Sequence, residues 1–328
     1  MIYINTNSDK ASFAFATEEF VMRDMKPQEP VFLLWSTRPT VMIGANQVVD
    51  LEIDRAKAEA AGVDIVRRSS GGGTIYTDPG TLLYTIILPH DDQGDMKEVV
   101  RDYLAEPVIS AIGTLGAHAV LEGRNDILIA GKKISGIAQF IKYEYLTSHG
   151  SLLFDADLEA LSSLLTGDDE KITSKALRSM RSRVTNISEH IPEKSIDVFR
   201  SILLESFAQK AGIYTLSEND LAAIHKIQTE KYENPQWTYG RTPAYTYRNA
   251  KRYPGGRIEV FVNSKGGVIT DCKITGDFLA RSPLDATEEA LIGVRHDRES
   301  IKEALAKINH QNALGSVSAI DLCEVLTE

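Results

Sequence analysis

Three consecutive glycines, Gly71-Gly72-Gly73, follow Arg67-Arg68-Ser69-Ser70 and run into Thr74-Ile75-Tyr76. Lacking Cβ atoms, such a turn can take positive φ and offer backbone N–H groups to an anion. The two arginines just upstream could meet phosphate or carboxylate oxygens in pairs. A β-hairpin turn with solvated arginines would leave the same pattern. A second segment reads Gly123-Arg124-Asn125-Asp126 and then Gly131-Lys132-Lys133-Ile134-Ser135-Gly136. In strand geometry Asn125 and Ile127 share one face and Asp126 and Leu128 the other. Lys133 alternates with Ser135 on one face, with Ile134 opposite. A lysine opening a strand can set its ammonium against a phosphate or carboxylate; two solvated lysines at a hairpin tip fit equally well. The third segment, Lys175 to Asn186, packs Lys175, Arg178, Arg181 and Arg183 into a short span, either a solvated surface or a loop that orders over a nucleotide. His149, ahead of Gly150-Ser151, reads as structural when taken alone.

The surrounding elements must position these residues. Ser8 to about Met25 spaces Phe13, Ala16, Phe20 and Val21 as an amphipathic helix, with Ser8 or Asp9 as its N-cap. Val31–Trp35 and Thr40–Ile43 read as neighbouring strands, Asp50–Ala61 as a helix closed by Gly62, and Val63–Val66 as a strand. Leu82–Leu88 is a strand, and Glu98–Leu115 a helix that Pro107 must kink or restart. Ile127–Ile129, Lys133–Phe140 and Gly150–Phe154 are strand-like, while Asp157–Leu165, Val198–Lys210 and Leu221–Tyr232 are helical. After about Tyr247 two alternating runs, Arg257–Val262 and Val268–Ile274, flank Lys265-Gly266-Gly267, a hairpin signal. Helical segments follow near Asp285–Gly293, Ser300–Asn309 and Ser316–Leu326. Strands and helices mix without strict βαβ alternation, which points to an α+β architecture. The division expected is a large domain over 1–245 and a small α+β domain over 246–328, joined near Glu233–Arg241.

Composition narrows the function classes. With 328 residues, 43% hydrophobic and 25% charged, the chain can bury one large or two ordinary cores. Its 46 acidic and 36 basic side chains leave a net charge of −10, which argues against a nucleic-acid coat while permitting a local basic site. Only Cys272 and Cys323 occur, so neither disulfides nor a cysteine metal cluster organises the fold. Neither G-x-G-x-x-G nor G-x-x-x-x-G-K-[ST] is present. The N-terminal residues lack the basic and apolar regions of a secretory signal, and no apolar run approaches the roughly 20 residues that span a bilayer. The expectation is a cytoplasmic protein with neither membrane nor nucleic-acid partner.

Taken together the motifs resemble the lipoate–protein ligase A family of the biotin/lipoate ligase superfamily, almost end to end. The family's RRxSGGG signature stands as Arg67–Gly73, its GRNDxxxxGKKISG segment as Gly123–Asp126 with Gly131–Gly136, its HGxLLF element as His149–Phe154 and its RSRVTN loop as Arg181–Asn186. Trp237-x-Tyr-Gly240…Pro243 resembles the family's junction to a small C-terminal domain. The resemblance implies a large mixed-sheet ligase domain with a C-terminal accessory domain. The activity implied is ATP-dependent conversion of lipoate to lipoyl-adenylate, then transfer to a lysine of acceptor proteins, namely 2-oxoacid dehydrogenase E2 subunits and the glycine cleavage H protein. On matching positions it implies that Arg68, Gly73, Thr74, Ile75, Tyr76, Asn125, Asp126, Lys133, Lys175 and Arg183 meet the nucleotide. Ser70, Gly71, Gly72, Gly73, Lys133, Ser135, Gly136 and His149 would meet lipoate, with Lys133 touching both the lipoyl carbonyl and the phosphate. Mg²⁺ would accompany ATP, held largely by phosphate oxygens, with Asp126 as a weak contact.

Two elements depart from the family pattern. Thr77 stands where many relatives carry histidine, and Ile43-Gly44-Ala45-Asn46-Gln47-Val48 lacks the arginine and final asparagine of the IGRxQN element. Three alternatives bracket the reading. Acyltransferases of the same superfamily use a cysteine nucleophile, whereas the first cysteine here is Cys272, beyond the large domain. Biotin ligases carry a different glycine-rich signature. A non-catalytic binder would be expected to have lost Arg68, the triple glycine, Lys133 or the 175–186 loop, all of which are intact in the sequence.

Overall fold

The computed structural model describes the chain apart from residues 91–95, 124, 165–182, 209–211, 241–246, 281–282, 309–314, 316 and 328. Two units emerge. The first comprises Met1–Met42, Ile53–Val66 and Ile75–Asn234, and the second Ile43–Glu52, Arg67–Thr74 and Pro235–Glu328.

The first unit is organised by a sheet whose order is β11-β1-β2-β6-β10-β9-β8-β7. Its strands are β1 (Ile2–Ile4), β2 (Val31–Trp35), β6 (Thr81–Pro89), β7 (Ala119–Glu122), β8 (Asp126–Ile129), β9 (Lys132–Lys142), β10 (Tyr145–Leu153) and β11 (Gly212–Tyr214). β1 pairs in parallel with β2 and β11, and the other neighbours run antiparallel. Every residue of β2 is buried, as is Thr81–Leu88 of β6. Central strands covered on both faces read as continuous apolar runs, which is why Val31–Trp35 and Leu82–Leu88 show no alternation. On one face, Phe32, Leu34, Tyr84, Ile127, Ile137 and Leu152 share a core with the helices Glu106–Thr114 and Ile196–Ala208. A smaller sheet has the order β4-β3-β5, from β3 (Thr40–Ile43), β4 (Asp64–Arg67) and β5 (Ile75–Thr77).

The opposite face meets the helix Ala11–Phe20, whose ten residues are all buried, Glu18 and Glu19 included. It begins after Lys10 rather than at Ser8, continues as a wider π-helical turn over Val21–Met25, and stops at Lys26, with φ of +47°. Glu19 anchors it. The carboxylate accepts Lys142 Nζ at 3.0 Å, Lys231 Nζ at 2.5 Å and Tyr232 Oη at 2.8 Å. Burial alone would raise the Glu19 carboxyl, but the two ammonium groups outweigh it and hold the carboxyl at about 2. The two lysines share it unequally: burial, with some repulsion from Lys142, pulls Lys231 down to about 8 against the opposing pull of Glu19, whereas at Lys142 burial is outweighed by Glu19 and the ammonium is raised.

The second unit contains the sheet β12-β13-β14, from β12 (Tyr247–Tyr253), β13 (Gly256–Lys265) and β14 (Val268–Gly276), with the helices Asp285–Leu291, Arg298–Ala306 and Ala319–Thr327. Ile258, Val260, Ile274, Phe278, Leu322 and Leu326 belong to its core. Gly266 and Gly267 both take positive φ, 61° and 76°, at the β13–β14 turn.

Several elements differ from the expectation. Asp50–Ala61 is broken into Val49–Glu52 and Arg55–Ala60, because Asp54 caps the second helix by accepting Lys57 N–H at 3.1 Å. Pro107, expected to interrupt its helix, lies just after a π-helical stretch over Val100–Ala105 that runs directly into Glu106–Thr114. β1, β7, β11 and β12 add strands that the apolar pattern did not show.

Glu19 sets a pH dependence whose sign follows from its depressed value. Its stabilisation is complete above its ordinary value of 4.5 and is lost as pH falls toward about 2. Glu19→Gln is expected to cost about 2 kcal/mol at neutral pH and to flatten the acid limb of stability. Urea unfolding across that range checks both.

Candidate active site

Strand register assigns Asp126, Gly136 and His149 to a face of the large sheet. Trp35 pairs with Leu83 and Leu33 with Thr85 between β2 and β6, and Thr85 pairs in turn with His149 on β10. His149 pairs with Ala138 and Ser151 with Gly136 between β10 and β9, and Gly136 pairs with Asp126 on β8. Directly opposed side chains lie on one side of an antiparallel sheet. Trp35, Thr85, His149, Ala138, Gly136 and Asp126 therefore occupy the face that meets the helix Ala11–Phe20.

Lys133 reaches that face through a bulge. Ile127 pairs with Ser135 but Leu128 with Lys133, so Ile134 is an extra residue in β9. The extra residue cancels the expected alternation. Ile134 is fully buried in the core, Ser135 turns the same way and shares a 3.1 Å hydrogen bond with Tyr84 Oη, and Lys133 goes to the other face with Leu128 and Asp126. Ser135 and Lys133 thus lie on opposite faces. Lys133 Nζ lies 2.7 Å from Asp126 Oδ1, with the two side chains 38% and 37% exposed. A Cβ on Gly136 would stand 2.8 Å from that ammonium nitrogen, so the bare glycine leaves the lane in which the side chain lies. The Lys133 backbone is tied on both sides: its N–H donates to Arg183 O at 2.7 Å and its carbonyl accepts Thr185 N–H at 3.1 Å. Asn125 Nδ2 donates to Ile137 O at 2.8 Å and extends the β8–β9 ladder by one rung.

His149 belongs to a buried polar chain. Trp35 Nε1 donates to Thr85 Oγ1 at 3.2 Å, Thr85 Oγ1 donates to Glu18 Oε1 at 2.7 Å, and His149 Nδ1 lies 3.2 Å from the same oxygen. Phe15 packs edge-on to Trp35 and tilted against His149. Trp35, Glu18 and Thr85 were not singled out from sequence. The available signal was an acidic residue on a helix too apolar to have a solvent face.

The glycine turn and both arginines fall in the second unit, whereas Ile75 and Tyr76 fall in the first. Arg67 is fully buried, and its guanidinium donates to the carbonyls of Gly44, Gln47 and Thr238 at 2.7 Å each. Trp237 Nε1 returns a bond to Arg67 O at 2.9 Å. These bonds join Gly44–Gln47, the glycine turn and the helix Pro235–Tyr239 within one unit, so Arg67 is a structural tie rather than a group presented to an anion. Arg68 folds back over its own turn, donating to Ser70 Oγ at 3.1 Å, Gly71 O at 2.9 Å and Gly73 O at 2.7 Å. Burial pulls its guanidinium down to about 10, still charged at neutral pH. Gly72 has φ of +93°, and a Cβ on Gly71 would stand 2.6 Å from Phe278 O. Thr74 Oγ1 donates to Gln47 Oε1 at 3.1 Å, the same oxygen that accepts Gly44 N–H at 2.8 Å. Lys175, with Arg178 and Arg181, lies outside the described residues; Arg183 is exposed. Thr77, at the departure from the family pattern, is buried and bonded to Thr37 at 2.7 Å.

Two kinds of chemistry are unsupported. Among the described residues no group of three or more His, Cys, Asp or Glu side chains converges, and the Asp126 carboxylate is paired to Lys133, so these residues offer no side-chain cage for Mg²⁺, whose ligands would be chiefly the phosphate oxygens of ATP. Cys272 and Cys323 are both buried in the second unit's core; burial pushes the Cys272 thiol up to about 12 and also raises Cys323. Neither is a ready thiolate nucleophile.

Comparison with known proteins assigns this arrangement to a class. Residues 10–208 match the lipoyl protein ligase A/B catalytic domain, and residues 242–326 match the bacterial lipoate protein ligase C-terminus. The chain is 37% identical to lipoate-protein ligase LplJ of Bacillus subtilis over 99% of this chain and 100% of that one. Among solved structures, a bi-partite lipoate protein ligase from Thermoplasma acidophilum, described with its E2 lipoyl domain, superposes with a TM-score of 0.67 at 26% identity, over 75% of this chain and 98% of that one. A lipoate-protein ligase A bound with ATP gives a TM-score of 0.59 at 25% identity, over 73% and 97%. The chain belongs to the lipoate–protein ligase family and is an enzyme of that type, with the α+β fold expected. Among the described residues no helix is long and apolar enough to cross a membrane.

The Arg67 tie predicts its own test. Arg67→Lys, which cannot serve several carbonyls with one rigid fork, is expected to lower unfolding free energy by about 3 kcal/mol. Denaturant titration of the two proteins measures it.

Proposed function

We propose that the chain condenses lipoate with ATP and then passes the lipoyl group to a protein lysine. The observation that carries this reading is the Lys133 ammonium, set by a bulge on the same sheet face as Gly136, Ala138 and His149. Gly136 leaves the lane in which the Lys133 ammonium lies, and the small Ala138 stands between it and His149 on the same face. The buried His149–Glu18–Thr85–Trp35 chain marks an end with a polar handle and an aromatic wall.

In the first step a lipoate carboxylate oxygen attacks the α-phosphorus of ATP, the bond to the β-phosphate's bridging oxygen breaks, and pyrophosphate leaves. Two anions must meet, so a fixed cation at the junction lowers the barrier by screening charge and holding the carboxylate in line. Lys133 fills that role, touching the carboxyl oxygen and the α-phosphate. Arg68, Gly73, Thr74, Ile75, Tyr76, Asn125, Lys175 and Arg183 contribute to the nucleotide site, with Asp126 acting on it through Lys133. Ser70, Gly71, Gly72, Gly73, Gly136 and His149, with Ser135 through its backbone, contribute to the lipoate site. ATP enters as its magnesium complex, the ion carried by phosphate oxygens.

In the second step the neutral ε-amine of an acceptor lysine attacks the acyl carbonyl, AMP leaves with the oxygen that came from lipoate, and the amine loses a proton. The E2 lipoyl domain described with the archaeal relative supports lipoyl domains as acceptors; we extend the assignment to the glycine cleavage H protein. Domains over 1–245 and 246–328, the first carrying the chemistry, and a cytoplasmic setting complete the proposal.

Lipoate-dependent ATP–pyrophosphate exchange tests it. Lys133→Ala, folded by circular dichroism, is expected to lose about 10²–10³-fold in exchange. Normal exchange in that variant overturns the role of Lys133. A wild type that shows no exchange but transfers octanoate from a thioester overturns the ligase reading itself.

A further inference from the structure

The carboxylate of Asp126 does not suit the weak metal contact that the resemblance implied, and its geometry fits another task. It stands directly across from Gly136 on the neighbouring strand, on the face to which the bulge sends Lys133. One of its oxygens holds Lys133 Nζ at 2.7 Å, and the ammonium lies over the space that only a glycine at 136 leaves open. The Lys133 backbone is meanwhile pinned between Arg183 O and Thr185 N–H. A lysine side chain has four rotatable bonds, and a pinned backbone alone would leave the ammonium free to sweep a wide arc. Carboxylate and bare glycine together select one lane of that arc.

We propose that Asp126 is a positioning residue that acts through Lys133, keeping the ammonium on the Gly136 lane where the carboxylate and the α-phosphate meet, and that it is not a magnesium ligand. The inference rests on the catalytic assignment of Lys133. Gly136 completes the device as the strand position over which the side chain lies. Asp126 and Lys133 are each more than a third exposed, so the pair contributes little to folding and its value lies in placement.

A double-mutant cycle separates this role from metal binding. Pyrophosphate exchange is measured for wild type, Asp126→Asn, Asp126→Glu, Lys133→Ala and the Asp126→Asn/Lys133→Ala pair, each across a titration of Mg²⁺ at fixed ATP. Asp126→Asn is expected to lower kcat about tenfold, a size ordinary for contacting residues. The KM for ATP and the half-saturating Mg²⁺ should stay within about twofold of wild type, and Asp126→Glu should recover part of kcat. In the Lys133→Ala background Asp126→Asn should change nothing further. The inference is overturned if Asp126→Asn raises the Mg²⁺ requirement, leaves kcat untouched, or multiplies its full effect onto Lys133→Ala. If Lys133→Ala alone exchanges normally, the catalytic assignment falls first, and that failure is distinct from the others. Thermal melting of each variant confirms that the comparison is between folded proteins.

Discussion

The placement of Lys133 depends on one residue too many in β9. Side chains alternate with a period of two, so a single unpaired residue exchanges the faces of everything before it. Without the bulge at Ile134, Lys133 would share a side with Ser135 and Tyr84 and be forced into the apolar core. With it, the ammonium joins Asp126 and Gly136 on the face that also carries His149, and Ile134 fills the core position instead. The bulge therefore fills the core with Ile134 and brings Lys133 beside Asp126 in one stroke. It is held from outside as well, because the Arg183–Thr185 segment pairs with the Lys133 backbone and blunts the tendency of a bulged strand to slip.

The second unit solves a different problem with a buried cation. A glycine-rich turn is entropically expensive to fix. Arg67 fixes its base by giving its N–H groups to carbonyls from residues distant in sequence, while Arg68 uses Gly71 O and Gly73 O to set the curvature of the turn itself. Each arginine would be costly if its donors were unmet, since desolvating a guanidinium without acceptors exceeds the gain from burying its stem. Two adjacent arginines of the same motif thus work locally and at long range.

What the sequence made legible follows the physics of each feature. The glycine turn stands out by residue type alone, whereas Lys133 fits a solvated hairpin tip equally well and His149 reads as structural, so both become candidates only through the family resemblance. The bulge was not, because register is a relation between strands and β8 alone says nothing about the count in β9. β1 and β11 are three residues each and pair through Ile2 with partners at Val31 and Gly212, contacts too remote for a local pattern to report. Arg67 was read with Arg68 as a possible anion contact, since residue type does not reveal whether its acceptors are a ligand or the chain's own carbonyls. An amphipathic helix over this segment implies a polar side facing solvent, whereas Glu18 and Glu19 are both buried and bonded.

An acidic chain that handles two anionic substrates is not a contradiction once distance is considered. The net charge of −10 is a sum over the whole molecule, and at physiological ionic strength charges more than about 8 Å away are largely screened. Within contact range the balance differs: two unit charges 4 Å apart interact by about 4 kcal/mol at the effective dielectric of a protein surface. A single ammonium held in one place can therefore outweigh many distant carboxylates. The nearest carboxylate works the other way, because Asp126 at 2.7 Å offsets part of the attraction that Lys133 offers an anion. Retaining it makes sense only if placement matters more than raw attraction. On the proposed role of Lys133, where a carboxylate must be brought in line with phosphorus, an ammonium that is somewhat weaker but fixed would be the better catalyst.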